Sequence, residues 1–202
     1  MTTFDFDTPI NRAGTQSLKW DIFKGQDIVP AWVADMDFIS PPSVLKALEE
    51  RSRHGVFGYT LDHPELTEVI VNRLKAQYDW EVHPDWLVWL PGLVCGINLC
   101  CHAVGEPGDS IITHTPVYPP FLSAPANARK QLQTVPLISS DQSWKIDFDA
   151  LDEMTSPHTR MYLLCNPHNP TGRVFNRDEL LDLAKWAEKH DITICADEIH
   201  CD

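Results

Sequence analysis

Apolar residues fall into two rhythms along this chain. Short continuous runs, Met161–Cys165 and Ile192–Ala196 the clearest, are bounded by turn residues and read as buried strands. Between them Leu180, Leu183, Ala184 and Ala187 recur at helical spacing. Asn176 stands where that helix would be capped, with Glu179 three residues on, a variant of the capping box. Strand, helix and strand in this order predict a parallel βαβ unit.

The same reading extends upstream. Residues 1–40 show no sustained period and read as an extended arm, in which Asp35 and Asp37 sit among the apolar residues of Trp32–Phe38. Ser40 is the expected cap of a helix with Val44, Leu45 and Leu48 on one face, ending near Gly55. After a glycine-punctuated loop, Asp62 is expected to cap a helix from Pro64 to about Tyr78, with an apolar face of Leu66, Val69, Ile70 and Leu74. Trp86–Leu90 reads as a strand, and Leu93–Val104 as a helix so apolar all round that burial is expected. A turn at Gly105–Asp109 leads into strand Ser110–His114, a helix start at Pro116–Phe121 and a strand over Gln131–Leu137. Asp147 is the expected cap of a short helix, Phe148–Met154. The pattern as a whole predicts an α/β protein with a mostly parallel sheet.

Composition narrows the partners more than the fold. The formal charge of −13 opposes binding to nucleic acids, whose affinity comes largely from Lys and Arg on phosphates. It equally opposes anionic membrane surfaces, and no apolar run approaches spanning length. The N-terminus carries Asp5 and Asp7 and lacks the basic and apolar segments of a signal peptide. The six cysteines form no CxxC pair and read as buried, reduced thiols, so a cytoplasmic protein is expected.

Chemistry concentrates where the strands end. Gly92 follows 86–90, Tyr118 follows 110–114, Asn166–Gly172 follows 161–165, and Asp197 follows 192–196. Ligands of open α/β sheets sit at the carboxyl ends of the strands. A helix N-terminus after Gly92 offers free N–H groups to a phosphate, and Tyr118 offers a stacking face. A buried Asp197 needs a cation, which a protonated ring nitrogen would supply. Taken singly, each has a plainer reading as turn, packing residue or cap. Their shared placement favours a site for a flat, phosphorylated ring.

Asn166-Pro-His-Asn-Pro-Thr-Gly172, followed by a helix and a strand into Asp197-Glu-Ile-His-Cys, resembles the signature of class I/II aminotransferase-fold enzymes that use pyridoxal 5'-phosphate. Trp32–Phe38, Tyr118–Phe121 and Asp197–Asp202 resemble the cystathionine β-lyase (cysteine-S-conjugate β-lyase) subgroup, from about residue 4 onward. The resemblance implies a three-layer α/β/α domain: an arm and helix over 1–55, then the front of the cofactor-binding domain over 56–202. It implies that Asp197 pairs with the pyridinium nitrogen, Asn169 bonds the phenolic oxygen, and Tyr118 stacks on the ring. The N–H groups of Val94 and Cys95 would hold the phosphate, and Tyr59 would reach the phosphate of a neighbouring subunit in a homodimer. His200 would support the cofactor from behind, and the Trp32–Phe38 arm would line the substrate mouth.

The implied reaction is α,β-elimination of an L-cysteine thioether such as cystathionine, giving thiol, pyruvate and ammonia. The lysine that carries the cofactor lies, in this family, in a Lys-Thr-Phe-Asn type stretch beyond the aspartate; none occurs here. Lys19, Lys24, Lys46, Lys75, Lys130, Lys145, Lys185 and Lys189 read as solvated surface residues. The chain is therefore expected to be the front half of an enzyme, inactive alone. Within the fold an aminotransferase is the main alternative, followed by a non-catalytic pseudoenzyme or regulatory fragment. Asp197–His200 also matches a DExH box, but the phosphate loop that reading requires is absent. A metal set from His168, Asp197, Glu198 and His200 fits no standard spacing.

Overall fold

The computed structural model describes residues 4–140 and 143–201. The chain divides into two compact units, Met1–Leu66 and Thr67–Asp202.

The first unit holds a single helical turn, α1 (Leu18–Asp21), and one longer helix, α2 (Pro42–His54). Pro41 rather than Ser40 occupies the N-cap of α2 and makes no side-chain cap bond. Gly55 ends the helix in the left-handed region at φ 72°, as the pattern predicted. Its apolar stripe of Val44, Leu45 and Leu48 is exposed. Polar contacts order the arm instead. Asp37 accepts from Arg12 (2.7 Å), Lys19 (2.7 Å) and the Trp20 indole (2.8 Å). Arg12 also bridges to Asp35 at 2.7 Å. These three donors hold the Asp37 carboxyl well below the usual range. Lys19 is thus buried, as is Lys130, against the surface reading of both.

Helix α3 (Pro64–Tyr78) matches its predicted span, although none of its residues is buried. Trp86–Leu90 is not a strand. Pro84–Trp86 forms one 3-10 turn, and 87–90 pairs with no strand among the described residues. An extended run becomes a strand only when a neighbour takes its N–H and C=O groups.

The second unit is built on four parallel strands, β1 (Ser110–Thr115), β2 (Gln131–Pro136), β5 (Thr159–Cys165) and β6 (Thr193–Asp197), in the order β2-β1-β5-β6. A hairpin, β3 (Ile138–Ser140) and β4 (Ser143–Lys145), stands apart. Side-chain alternation divides the core into two layers. On one face Ile112, Tyr162 and Leu164 pack against Leu151 of α6 (Phe148–Met154) and Leu183, Trp186 and Ala187 of α7 (Arg177–His190). On the other, Ile111, Met161, Leu163 and Cys165 meet Ile97 and Cys101 of α4 (Leu93–Ala103) and Phe121 and Ala124 of α5 (Pro120–Asn127). This is the expected three-layer α/β/α arrangement.

Three details differ from the sequence reading. Helix α4 buries only Ile97 and Cys101, leaving Leu93, Val94 and Leu99 exposed. In α7 the wider Trp186 fills the core where Ala184 was expected, because it too lies three residues on from Leu183. Of the six free cysteines only Cys101 and Cys165 are buried; Cys95 and Cys201 are exposed.

Candidate active site at the carboxyl edge of the sheet

Strand order fixes where a ligand can sit. From β1 the chain crosses to β2 on one side, then returns to place β5 on the other. The connections therefore part above β1 and β5, where doubly wound sheets open a crevice. The register puts Cys165 level with Asp197. It pairs Thr113 with Leu163, so Thr115 ends β1 at the same height. The polar groups that follow these strands share one edge.

Each group is placed by its local chemistry. Asp197 closes β6 with its side chain on the α4 face, like Cys195 two residues before it. It is 9% exposed, and its Oδ1 accepts from Ile199 N at 3.1 Å. Among the described residues no cation pairs with it. A buried carboxylate without a cation is costly, and this is the observation that makes a protonated ring fit here. Asn166 ties the loop after β5 to β6, its N–H donating to Asp197 O at 3.1 Å, while its Oδ1 accepts from Phe175 N at 3.0 Å. The loop then folds back on itself: His168 N donates to Arg173 O (2.7 Å) and Gly172 N to His168 O (2.8 Å). Asn169, partly exposed, donates its N–H to Cys165 Sγ at 3.3 Å.

Tyr118 follows β1 by three residues, is 38% exposed, and accepts from Phe121 N where α5 begins. Helix α4 runs back toward the start of β1, since its last residue is joined to Ser110 by the short turn 104–109. Its N-terminus therefore points to the carboxyl edge. Gly92 caps it at φ 137°, a conformation side chains resist, and the next N–H groups, through Val94 and Cys95, precede the first intrahelical bond at Gly96. Free N–H groups at a helix start suit a phosphate. The Val94 and Cys95 side chains are exposed and bring no charge.

Two further candidate residues are exposed. His200 is exposed in the turn beyond β6. Tyr59 is fully exposed in the first unit, with nothing over its ring. Among the described residues no group of three or more His, Cys, Asp and Glu side chains could hold a metal ion.

The sequence reading missed what lies behind the edge. His114 is 2% exposed, and its Nδ1 meets Tyr162 Oη at 2.6 Å, while Nε2 has no partner among the described residues. Burial, then the nearby His168, pushes the His114 imidazole down to about 4, and burial pushes the Tyr162 hydroxyl strongly up. His168 is buried edge-on to Phe175 and likewise lowered by burial, with Nδ1 on the Thr171 hydroxyl at 3.0 Å. Burial also lifts the thiols of Cys101 to about 11 and Cys195 to about 12. They are poor nucleophiles. The signal for His114 was its spacing two residues on from Ile112, which puts it on the same buried face of β1.

Known proteins are similar to this chain in sequence and fold. The chain is 37% identical over 203 residues to cystathionine beta-lyase PatB of Bacillus subtilis, covering 98% of this chain and 52% of that protein. The crystal structure of OvoB superposes with a TM-score of 0.90 at 41% identity, over 98% of this chain and 52% of that one. The pyridoxal-phosphate-bound C-S lyase of Staphylococcus hominis does so with a TM-score of 0.88 at 32% identity, over 99% of this chain and 52% of its own. The chain thus spans about half the length of the relatives it matches. No helix among the described residues is long and apolar enough to cross a membrane. The model of the aminotransferase class I and II family matches residues 33–202, and this chain belongs to that family.

Proposed function

We propose that this chain forms the cofactor-holding part of a pyridoxal-phosphate-dependent C-S β-lyase. The reaction is α,β-elimination of L-cystathionine or a related L-cysteine thioether, releasing thiol, pyruvate and ammonia. The observation that carries the proposal is the buried Asp197 carboxylate, with no cation paired to it among the described residues, level with the loop that bears Asn169. The names of PatB and the Staphylococcus hominis enzyme support the choice of a lyase.

The bound cofactor supplies an electron sink for the substrate's α-carbon. The residues of this chain hold it in place. Asp197 keeps the ring nitrogen protonated, which strengthens the sink. Asn169 donates to the phenolic oxygen, Tyr118 covers one face of the ring and excludes water there, and the Val94 and Cys95 N–H groups take the phosphate. His200 has a supporting role behind the ring. Tyr59, fully exposed, reaches the phosphate of the neighbouring subunit in a homodimer. The functional division falls at 1–55 and 56–202, with the Trp32–Phe38 arm at the substrate mouth. The lysine that binds the cofactor and moves the α-proton lies outside residues 1–202, which by themselves are inactive. The whole enzyme works in the cytoplasm.

The test is the full-length protein with L-cystathionine. Pyruvate and thiol released without an added keto acid support the lyase. A strict need for a keto acid, with no pyruvate formed from the thioether, would assign an aminotransferase instead.

A further inference from the structure

We propose that Arg173 is a positioning residue for Asn169, fixing the 166–173 loop from outside the site. The proposal rests on the reading that Asn169 meets the cofactor's phenolic oxygen. At the site itself little holds Asn169: among the described residues its N–H meets only the Cys165 thiol, a weak acceptor, at 3.3 Å. The loop closes instead on Arg173, whose carbonyl accepts from His168 N at 2.7 Å. What holds Arg173 therefore holds the loop.

Its guanidinium ties its own loop to β4 and α7. Nε donates to the Trp144 carbonyl of β4 at 2.8 Å, one terminal nitrogen to Val174 O at 3.3 Å, and the other to Glu179 Oε1 in the first turn of α7. The second Glu179 oxygen accepts from Asn176 N at 2.8 Å, completing the capping box. The guanidinium also lies 5.5 Å from the ring centre of Phe175, which is buried and whose N–H holds Asn166. The Arg173 and Glu179 side chains are only 22% and 21% exposed, so the pair is shielded from solvent. A planar fork can serve a carbonyl and a carboxylate together; a lysine ammonium cannot reproduce that geometry.

The experiment uses the full-length protein with Arg173→Met, Arg173→Lys, Glu179→Gln and Asn169→Ala. Three quantities are read: pyridoxal phosphate affinity, the pH midpoint of the bound cofactor's visible absorption, and the melting temperature of the cofactor-free protein. Loss of the fork should weaken cofactor binding about tenfold in Arg173→Met. It should also move the absorption midpoint in the same direction as Asn169→Ala. Arg173→Lys and Glu179→Gln should move both in that direction by less, and they carry the test if Arg173→Met does not fold. If Asn169→Ala moves the midpoint while the Arg173 and Glu179 variants only lower the melting temperature, Arg173 is structural and the proposal falls. If Asn169→Ala itself leaves the midpoint unchanged, the role given to Asn169 fails first and takes this proposal with it.

Discussion

Replacing the buried pair His114 and Tyr162 together should flatten the pH dependence of stability. His114 Nδ1 and Tyr162 Oη are 2.6 Å apart between the sheet and α7, and His114 Nε2 has no partner among the described residues. The imidazole ordinarily titrates near 6.5 and is pushed here to about 4, mainly by desolvation. A lowered folded pKa means that the unfolded chain binds its proton first. The stability from a neutral His114 is therefore fully present above pH 6.5 and is lost as pH falls toward 4. Linkage over that interval gives a loss of about 2 kcal/mol between pH 7 and pH 5. His168, also lowered, adds to the loss in the same direction. The single change Tyr162→Phe strands both imidazole nitrogens and should cost about 1–3 kcal/mol at pH 7. The double change His114→Leu with Tyr162→Phe removes both polar partners and should cost less than Tyr162→Phe alone. Urea unfolding of the cofactor-free protein, followed by tryptophan fluorescence at pH 7 and pH 5, compares the three. Carboxylates titrate alike in all of them, so only the difference matters. If wild type and the double variant lose the same stability between those pH values, the burial argument for His114 is wrong.

Other changes test the remaining parts. Asp197→Asn should leave the fold intact and lower elimination activity on the order of 100-fold in the full-length enzyme, read as pyruvate release. Leu183→Ala removes a side chain that is 1% exposed between α7 and the sheet, and should cost about 2–5 kcal/mol in denaturant unfolding. Asn176→Ala removes the acceptor for Asp178 N and Glu179 N and should cost about 1 kcal/mol by the same measurement. Gly92→Ala meets no neighbouring atom but must adopt φ 137°, so it should weaken cofactor binding more than it lowers the melting temperature.

Local rules accounted for those elements whose partners are close in sequence. The Asn176–Glu179 box and the Asp147 cap formed as the sequence predicted, because every donor and acceptor lies within three residues. The strands β5 and β6 were legible as apolar runs, and β1 and β2 as short stretches with Ile, Leu and Val bounded by turns. Trp86–Leu90 was not, since its apolar residues resemble a strand whether or not a neighbour exists. The stripes of α2 and α4 exposed the same limit: period gives a face, but what covers it depends on residues far away. Burial of Lys19 follows from Asp35 and Asp37, sixteen and eighteen residues on, and no local pattern encodes that contact.

The candidate site divides along the same line. Its edge residues Asp197, Asn169 and Tyr118 were legible because strand ends announce themselves by abrupt polarity, and Gly92 because a glycine turn precedes a helical run. The groups that fix them were not. Arg173 reaches β4 across 29 residues and His114 meets Tyr162 across 48, so both depend on strand register. That register also explains why buried polar groups are tolerated beneath the edge. An apolar layer of Ile112, Tyr162 and Leu164 holds one face of the sheet, and Met161, Leu163 and Cys165 hold the other. With the strands locked from both sides, an unpaired imidazole nitrogen and a buried carboxylate can be borne where a mobile scaffold would turn them to water. The rigidity that keeps Asp197 out of water is therefore the property a cofactor site at this edge requires.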